Sequence, residues 1–241
     1  MANALDQFRI EPIVPIHVGN LDLSFTNSSL YMVAAVVIST VFLTAAMRRR
    51  TLIPGRFQSV AELFYEFVAA TLRNNASEEA WRYFPLIFTV FMFVLCGNLL
   101  GLTPYGFTYT SHIIVTGGLA LFIILFVTVV GFMKHGLGYF HALLPTSVPG
   151  PAGIIMVPVE LFSYFARAFS LSVRLTANMI SGHIMLHVVT GFVVALGVWG
   201  GWVPFLGAAA IITLEVLIAC LQAYIFTILS CVYLESALHL H

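Results

Sequence analysis

Four charged side chains lie within stretches of sequence that are otherwise strongly apolar: Glu160, Arg167, Arg174 and Glu215. If these stretches cross a membrane, each charge is expensive, because one arginine at the bilayer centre costs roughly 2.5–3.5 kcal/mol on insertion scales. Ionisable residues at such positions typically mark ion pathways or proton relays. We therefore treat each of the four as a candidate functional residue.

The residues around Arg174 form a polar stripe on one face of a predicted helix. At about 100° per residue, several polar side chains fall within roughly 40° of Arg174; they are Glu160, Ser163, Arg167, Ser170, Asn178 and Ser181. Such a stripe is either a seam between closely packed helices or a water-lined path. The seam explains the serines, and Arg167 is near enough to a helix end to extend toward water. It does not explain Arg174.

A second set of polar residues includes His183, which lies on roughly the opposite face from Arg174. His183 and His187 are one turn apart and could bind a metal, but no further ligand is close in sequence, so we predict no metal site. On the last helix, Glu215 shares a face with Gln222 and Tyr233. A His183–Glu215 pair between two antiparallel helices would make a proton relay.

The composition identifies the surroundings of these residues as a membrane. Only 8% of the 241 residues are charged, where a soluble domain has about 25%. Ten acidic residues balance ten basic ones, so no net field favours nucleic acid or acidic partners. The three cysteines lack the spacing of a metal site or a disulfide framework. These features exclude an ordinary soluble enzyme, a disordered chain and a nucleic-acid-binding protein.

Long gaps between charges predict an all-α membrane protein with about five membrane helices. A spanning helix needs about 20 apolar residues, and the predicted spans are about 29–47, 84–102, 112–133, 156–195 and 207–238. Residues 58–73 predict an amphipathic helix, either in the membrane interface or packed on other helices. We expect residues 29–241 to form a single membrane domain after a tail at 1–28.

Arginines and lysines predict the orientation of the chain. Six arginines fall between the first two predicted spans, whereas the tail has only Arg9 and the loop after the second span has no basic residue. By the positive-inside rule, the N-terminus lies outside and the C-terminus lies in the cytoplasm. Because no transit or signal peptide is apparent, we expect a bacterial inner membrane, with the mitochondrial inner membrane as the alternative.

Two motifs closely resemble subunit a of the F-type ATP synthases. The first is Ser170-Leu-Ser-Val-Arg174-Leu-Thr-Ala-Asn178-Met-Ile-Ser-Gly-His183. The second runs from Glu215 through Gln222 to Phe226, followed by Tyr233-Leu234. Residues 97–104, Gly-Asn-Leu-Leu-Gly-Leu-Thr-Pro, are also similar to that family. The resemblance extends over nearly the whole chain from about residue 30.

This resemblance implies a role for each candidate residue. Arg174 matches the essential arginine that faces the ring of c subunits, and Gln222 and Asn178 match polar residues near it. Glu160 and Arg167 match polar positions toward the cytoplasm, and Tyr233 belongs to the second motif. His183 and Glu215 match a coupled pair in the external half-channel, in the exchanged order found in mitochondrial members and their bacterial relatives. The last two helices are expected to form a long, strongly tilted hairpin against the ring.

The implied function is proton translocation through two offset half-channels that Arg174 separates. A guanidinium stays charged at any useful pH, so it can release a proton from an approaching carboxylate and block proton leakage. The expected partners are the c-subunit ring, the b subunits of the peripheral stalk, the lipid bilayer and protons as the transported ion. We expect no cofactor, no nucleic acid and no enzymatic activity of the chain alone.

Other functions account for less of the sequence. A secondary transporter or an independent ion channel is the main alternative, but internal repeats typical of transporters are not apparent. A membrane scaffold would explain the amphipathic helix and the small residues but not Arg174. An intramembrane protease would require a Gly-x-Ser-x-Gly motif or paired aspartates, and neither is found.

Overall fold

The computed structural model describes residues 10–15, 17–18, 21–22, 24–48, 55–103, 106–136 and 151–239. Nearly all of this part of the chain is helical. Five helices in it are long and apolar enough to cross a membrane: Asn27–Met47, Glu78–Gly101, Ile113–His135, Phe169–Gly197 and Trp202–Leu238. The predicted all-α membrane class is confirmed. Some residues used in the predictions lie outside the described residues. They are Arg9, Arg49 and Arg50, which contribute to the predicted orientation, and Pro104 and Tyr105, which belong to the turn that the sequence predicts at 101–106.

Short strands precede the first helix, a feature that the sequence did not indicate. Strand β1 (Pro12–Val14) pairs antiparallel with β4 (Phe25–Thr26), and β2 (His17–Val18) pairs with β3 (Leu21–Asp22). The backbone N–H of Asn27 also donates to the carbonyl of Glu11 at 3.1 Å. These bonds satisfy backbone polar groups where the chain enters the apolar helix.

Helix α1 (Asn27–Met47) is an apolar helix with a capped start. The hydroxyl of Thr26 accepts a hydrogen bond from the backbone N–H of Ser29 at 3.3 Å, which satisfies one of the free donors at a helix N-terminus. Inside the helix, the hydroxyls of Thr40 and Thr44 donate to carbonyls four residues earlier. Such bonds let a hydroxyl lie in apolar surroundings.

Helix α2 (Arg56–Asn75) is the amphipathic helix predicted over 58–73. Its buried side carries Val68 and Leu72, while Phe57 and Leu63 are exposed. Phe67 contacts the rings of Phe91 and Tyr224, with centroids at 5.7 and 5.3 Å. Its location in the membrane interface stays a prediction. A 3₁₀ helix (Glu78–Tyr83) leads into α3.

Helices α3 (Phe84–Gly101) and α4 (Ile113–His135) are joined by a buried connection that ends in a 3₁₀ turn (Tyr109–Ser111). The sequence predicts an external turn around residues 101–106. In the structure, Phe107 and the following Thr108, Tyr109, Thr110 and Ser111 are all buried. The hydroxyl groups of residues 108–111 therefore need hydrogen-bond partners inside the protein.

Helices α5 (Pro151–Gly200) and α6 (Trp202–Leu238) extend beyond the predicted ranges of 156–195 and 207–238. Gly197 breaks the regular geometry of α5 with φ +64°, a conformation that glycine adopts without strain. The turn falls at Gly201, so Pro204 lies in the first turn of α6, where a missing N–H costs nothing. The tilt of the two helices stays a prediction.

The chain divides into two compact units. The first unit comprises 1–50, 92–112 and 175–223, and the second comprises 51–91, 113–174 and 224–241. Helices α3, α5 and α6 contribute to both units. Some polar residues of the sequence motifs therefore belong to the first unit and others to the second. The single domain predicted for 29–241 stays a prediction.

Candidate functional site

In the first unit, the carboxyl group of Glu215 packs directly against Gly182. Glu215 is 7% exposed, and its Oε1 is buried without a hydrogen-bond partner among the described residues. A Cβ atom added at Gly182 would overlap this carboxyl group. The absence of a side chain at Gly182 therefore leaves space for Glu215. The presence of this glycine in the first motif, directly before His183, was a sequence signal for such a close contact.

His183 is buried and forms a hydrogen bond with the connection between α3 and α4. Its Nε2 lies 2.9 Å from the hydroxyl oxygen of Thr108. The same hydroxyl donates to the carbonyl oxygen of Gly101 at 3.2 Å. Glu215 thus packs against Gly182 and His183 bonds to Thr108, so both side chains are buried in the same unit. The proton relay between them stays a prediction.

Two buried amides lie in the same unit. Asn98 is fully buried, and its Nδ2 donates to the backbone carbonyl of Ala219 at 3.4 Å. Gln222, one turn beyond Ala219 on α6, is 2% exposed. Asn98 Oδ1 and Gln222 Oε1 have no hydrogen-bond partner among the described residues. Buried polar atoms of this kind usually bond to ordered water.

The buried connection is held on α3 by a second hydroxyl. Tyr109 is 1% exposed, and its phenol donates to the carbonyl of Phe93 at 3.1 Å. A Cβ atom at Gly97 would overlap this phenol, so the glycine permits the approach. Burial raises the pKa of Tyr109, which stays a neutral donor. Sequence reasoning missed these residues, although the run of hydroxyl side chains at 108–111 was a signal.

His112 closes this connection. Its ring stacks on Phe107 with centroids 5.3 Å apart. Burial lowers the pKa of His112, because a charged imidazole loses hydration there.

Arg174 belongs to the second unit and is exposed. It lies near the middle of the 50-residue helix α5 and opens on a groove of about 590 Å³. The groove is lined by Ser163, Ala166, Ser170, Leu171, Arg174, Ile225, Ile228 and Leu229. Among the side chains that the structure describes, no carboxylate pairs with Arg174.

The polar stripe predicted around Arg174 is uneven in its exposure. Ser170 and Ser181 are exposed like Arg174, whereas Ser163 and Asn178 are half-buried. On the other side of the helix, Ser172 is buried and shares a 2.8 Å hydrogen bond with Thr116 on α4. The exposed part of the stripe is thus at Ser170, Arg174 and Ser181, whereas Ser172 contacts α4.

The other predicted site residues differ in what the structure says of them. Tyr233 is 5% exposed and lines a small cavity with Ala120 and Leu171 in the second unit. Glu160 and Arg167 lie within α5, but their side chains lie outside the described part of the structure. The roles of these residues in ion movement stay predictions.

Known proteins are similar to this chain over its full length. Residues 29–235 match the model of the family described as ATP synthase A chain. Proteins named ATP synthase subunit a are 54% identical in Paramagnetospirillum magneticum and 52% identical in Rhodospirillum rubrum, with all of both chains covered. The protein of that name in Mesorhizobium japonicum is 52% identical, over 98% of this chain and 96% of its own length.

These similarities agree with the fold and the polar residues described above. The relatives are bacterial, and the chain carries five helices able to span a membrane, so it is a bacterial membrane protein. The family match includes the groove around Arg174 as well as the cluster around His183 and Glu215. On these grounds, the chain belongs to the ATP synthase A chain family.

Proposed function

We propose that this chain is the proton-translocating stator subunit of an F-type ATP synthase. It would provide two offset half-channels, one carrying protons to the carboxylates of a rotating c-subunit ring and one carrying them away. Arg174 would separate the two. The chain itself would catalyse no reaction, and the b subunits of a peripheral stalk would hold it against rotation.

The exposure of Arg174 is the observation that carries this proposal. A permanent charge on the open face of an apolar helix is costly unless an opposite charge meets it. The serine and aliphatic lining of the groove supplies no such charge. A carboxylate arriving on a partner subunit would supply it, and a guanidinium beside that carboxylate would favour loss of its proton.

The cluster in the first unit supports the external half-channel. His183 and Glu215 are both able to exchange protons and both are buried, and Glu215 packs against Gly182, the residue before His183. Asn98 and Gln222 add amide oxygens with no protein partner among the described residues. Water bonded at these atoms would connect groups that do not touch.

The remaining expectations form part of the same proposal. Asn178, half-buried one turn after Arg174, would support the arginine, and Tyr233 would lie on the ring-facing helix. Glu160 and Arg167 would serve the half-channel on the cytoplasmic side. The N-terminus would lie outside the bacterial inner membrane and the C-terminus in the cytoplasm, as the arginine distribution predicts.

The test is ATP-driven proton pumping by the assembled synthase in sealed vesicles. We expect Arg174→Ala to lower pumping by at least about a hundredfold, the loss typical of removing one electrostatic group from an active site. Arg174→Lys should also fail, because an ammonium in apolar surroundings can give up its proton and a guanidinium cannot. Val194→Ala, at an exposed apolar position of the same helix, is the matched control.

Two results would contradict the proposal. Wild-type pumping by Arg174→Ala would remove Arg174 from the pathway. Proton conduction by the purified chain alone, reconstituted without other subunits, would favour the independent channel or transporter instead.

A further inference from the structure

Thr108 lies outside the family motifs and forms a hydrogen bond with His183, a residue of the predicted proton relay. Its hydroxyl oxygen lies 2.9 Å from His183 Nε2 and 3.2 Å from the carbonyl oxygen of Gly101. Thr108 is 2% exposed. A hydroxyl has a single proton to donate and two lone pairs to accept, so these two contacts constrain each other.

The carbonyl of Gly101 decides the direction of the two hydrogen bonds. Gly101 is the last residue of α3, where carbonyl groups have no partner within the helix. A carbonyl oxygen only accepts, so the Thr108 hydroxyl is the donor in its bond to Gly101. The single Thr108 proton is therefore used in that bond.

This direction determines which nitrogen of His183 carries the proton. Because the Thr108 hydroxyl donates to Gly101, it can only accept from His183, so Nε2 must be the protonated nitrogen of the neutral ring. Nδ1 is then the basic nitrogen at which an incoming proton is taken up. In the protonated ring both nitrogens donate, and the Thr108 oxygen still accepts from Nε2.

The backbone around Thr108 is shaped for this contact. A Cβ atom at Gly101 would come within 2.6 Å of both Oγ1 and Cγ2 of Thr108, so only glycine allows the approach. The hydroxyl of Ser111 donates to the carbonyl of Thr108 at 2.6 Å, which holds the residue from the other side.

We propose that Thr108 is a positioning residue that sets the tautomer of His183, so that Nδ1 is the atom that accepts and releases the transported proton. The consequence for conduction rests on the proposed function, whereas the tautomer itself does not. No proton is consumed by this arrangement, since Thr108 keeps its own proton on the bond to Gly101 throughout.

The experiment is solid-state NMR of the assembled complex in bilayers, with histidine labelled with ¹⁵N. The His183 signals are identified by their loss in His183→Gln. We expect neutral His183 to be protonated at Nε2 in the wild type and in Thr108→Ser, which keeps the hydroxyl. Thr108→Val, which has the same shape without the hydroxyl, should shift the tautomer ratio by about tenfold toward Nδ1–H, as expected for one lost hydrogen bond.

Proton conduction by the same proteins gives the second readout. Thr108→Val should conduct about tenfold more slowly, in keeping with the same lost bond, and Thr108→Ser should conduct near the wild-type rate. Glu215 and His187 are the neighbouring titratable residues on α6 and α5, and Tyr109 adjoins Thr108. All three are unchanged in these variants, so any difference reports on the hydroxyl.

The tautomer is the deciding measurement. A wild-type His183 protonated at Nδ1 overturns the proposal, and so does a Thr108→Val protein with an unchanged tautomer ratio, whatever its conduction rate. If Thr108→Val does not assemble, the wild-type and Thr108→Ser tautomers decide alone. Wild-type pumping by Arg174→Ala would contradict the proposed function while leaving this tautomer assignment intact.

Discussion

The groove around Arg174 and the cluster around His183 and Glu215 lie in different units and expose their charges in opposite ways. Arg174 has an exposed side chain and a lining of serines and aliphatic residues. His183 and Glu215 are 8% and 7% exposed and contact Thr108 and Gly182, respectively, in their own unit. One region exposes a permanent charge, and the other buries groups that can change their charge.

This difference indicates which physical property, charge or packing, is most important for each region. The contribution of an exposed guanidinium depends mainly on its permanent charge, which does not require close packing. A buried carboxyl and imidazole depend on close packing, which includes the missing side chain at Gly182 and the hydroxyl of Thr108. We therefore expect the groove to be sensitive to the type of charge and the cluster to be sensitive to space and to hydrogen bonds.

Exchange of the two titratable residues tests whether the cluster acts as a pair. His183→Ala and Glu215→Ala should each lower ATP-driven pumping by about a hundredfold, a typical contribution of a positioned acid or base. The double variant His183→Glu with Glu215→His keeps both groups beside Gly182 and should retain more activity than either single variant. Pumping rates of the assembled complex in vesicles measure this, and equal losses in all three proteins would argue against a pair.

Gly182→Ala tests the dependence of the cluster on space. The new methyl group would overlap the Glu215 carboxyl, and such overpacking typically destabilises a protein by about 1–3 kcal/mol. We expect a lower melting temperature of the purified complex together with slower pumping.

Gly191→Ala is the matched control, since it lies on the same helix and a Cβ there meets nothing within 4 Å. It should be neutral or slightly stabilising, because alanine favours a helix over glycine. Equal melting temperatures for Gly182→Ala and Gly191→Ala would show that Gly182 is not a packing contact.

His112→Gln is expected to have the smallest effect, and it concerns the dependence of the first unit on pH. Burial lowers the pKa of His112, so protonation favours the unfolded chain. The stabilisation is complete above the unfolded pKa of about 6.5 and is lost as the pH falls below it. The variant should therefore show a shallower decrease in melting temperature on acidification.

Differential scanning calorimetry of the complex between about pH 7.5 and 5.5 covers this range around the histidine pKa. His112→Phe preserves the ring stacked on Phe107 and should behave in the same way as His112→Gln. A decrease as steep as that of the wild type in both variants would show that His112 does not contribute.

Much of the helical architecture could be predicted from the sequence, because apolar length alone decides whether a helix can cross a membrane. The gap between Arg82 and Lys134 contains α3 and nearly all of α4, which ends at His135. The limits of α5 and α6 were predicted less well, since α5 begins at Pro151 rather than near 156, and the two helices extend to Gly200 and Trp202 on either side of the break. A single proline or glycine has different effects in different tertiary surroundings.

The sequence predicted which residue types the candidate site contains but not how they are packed. Helical spacing placed Ser170, Arg174 and Ser181 on one face, and all three are exposed, whereas Ser163 and Asn178 of the same stripe are half-buried. The contacts of Thr108 and Tyr109 could not be predicted, because both residues follow a turn and sequence spacing does not show which way a connection folds.

The sequence by itself determined the membrane class, the number of long apolar helices and the residue types able to move protons. These depend on composition and on helical periodicity, which are local properties of the chain. Only the tertiary structure decided that Arg174 is exposed, that Glu215 lies against Gly182 and that His183 bonds to Thr108. Those features depend on close approach between segments distant in sequence, which packing alone establishes.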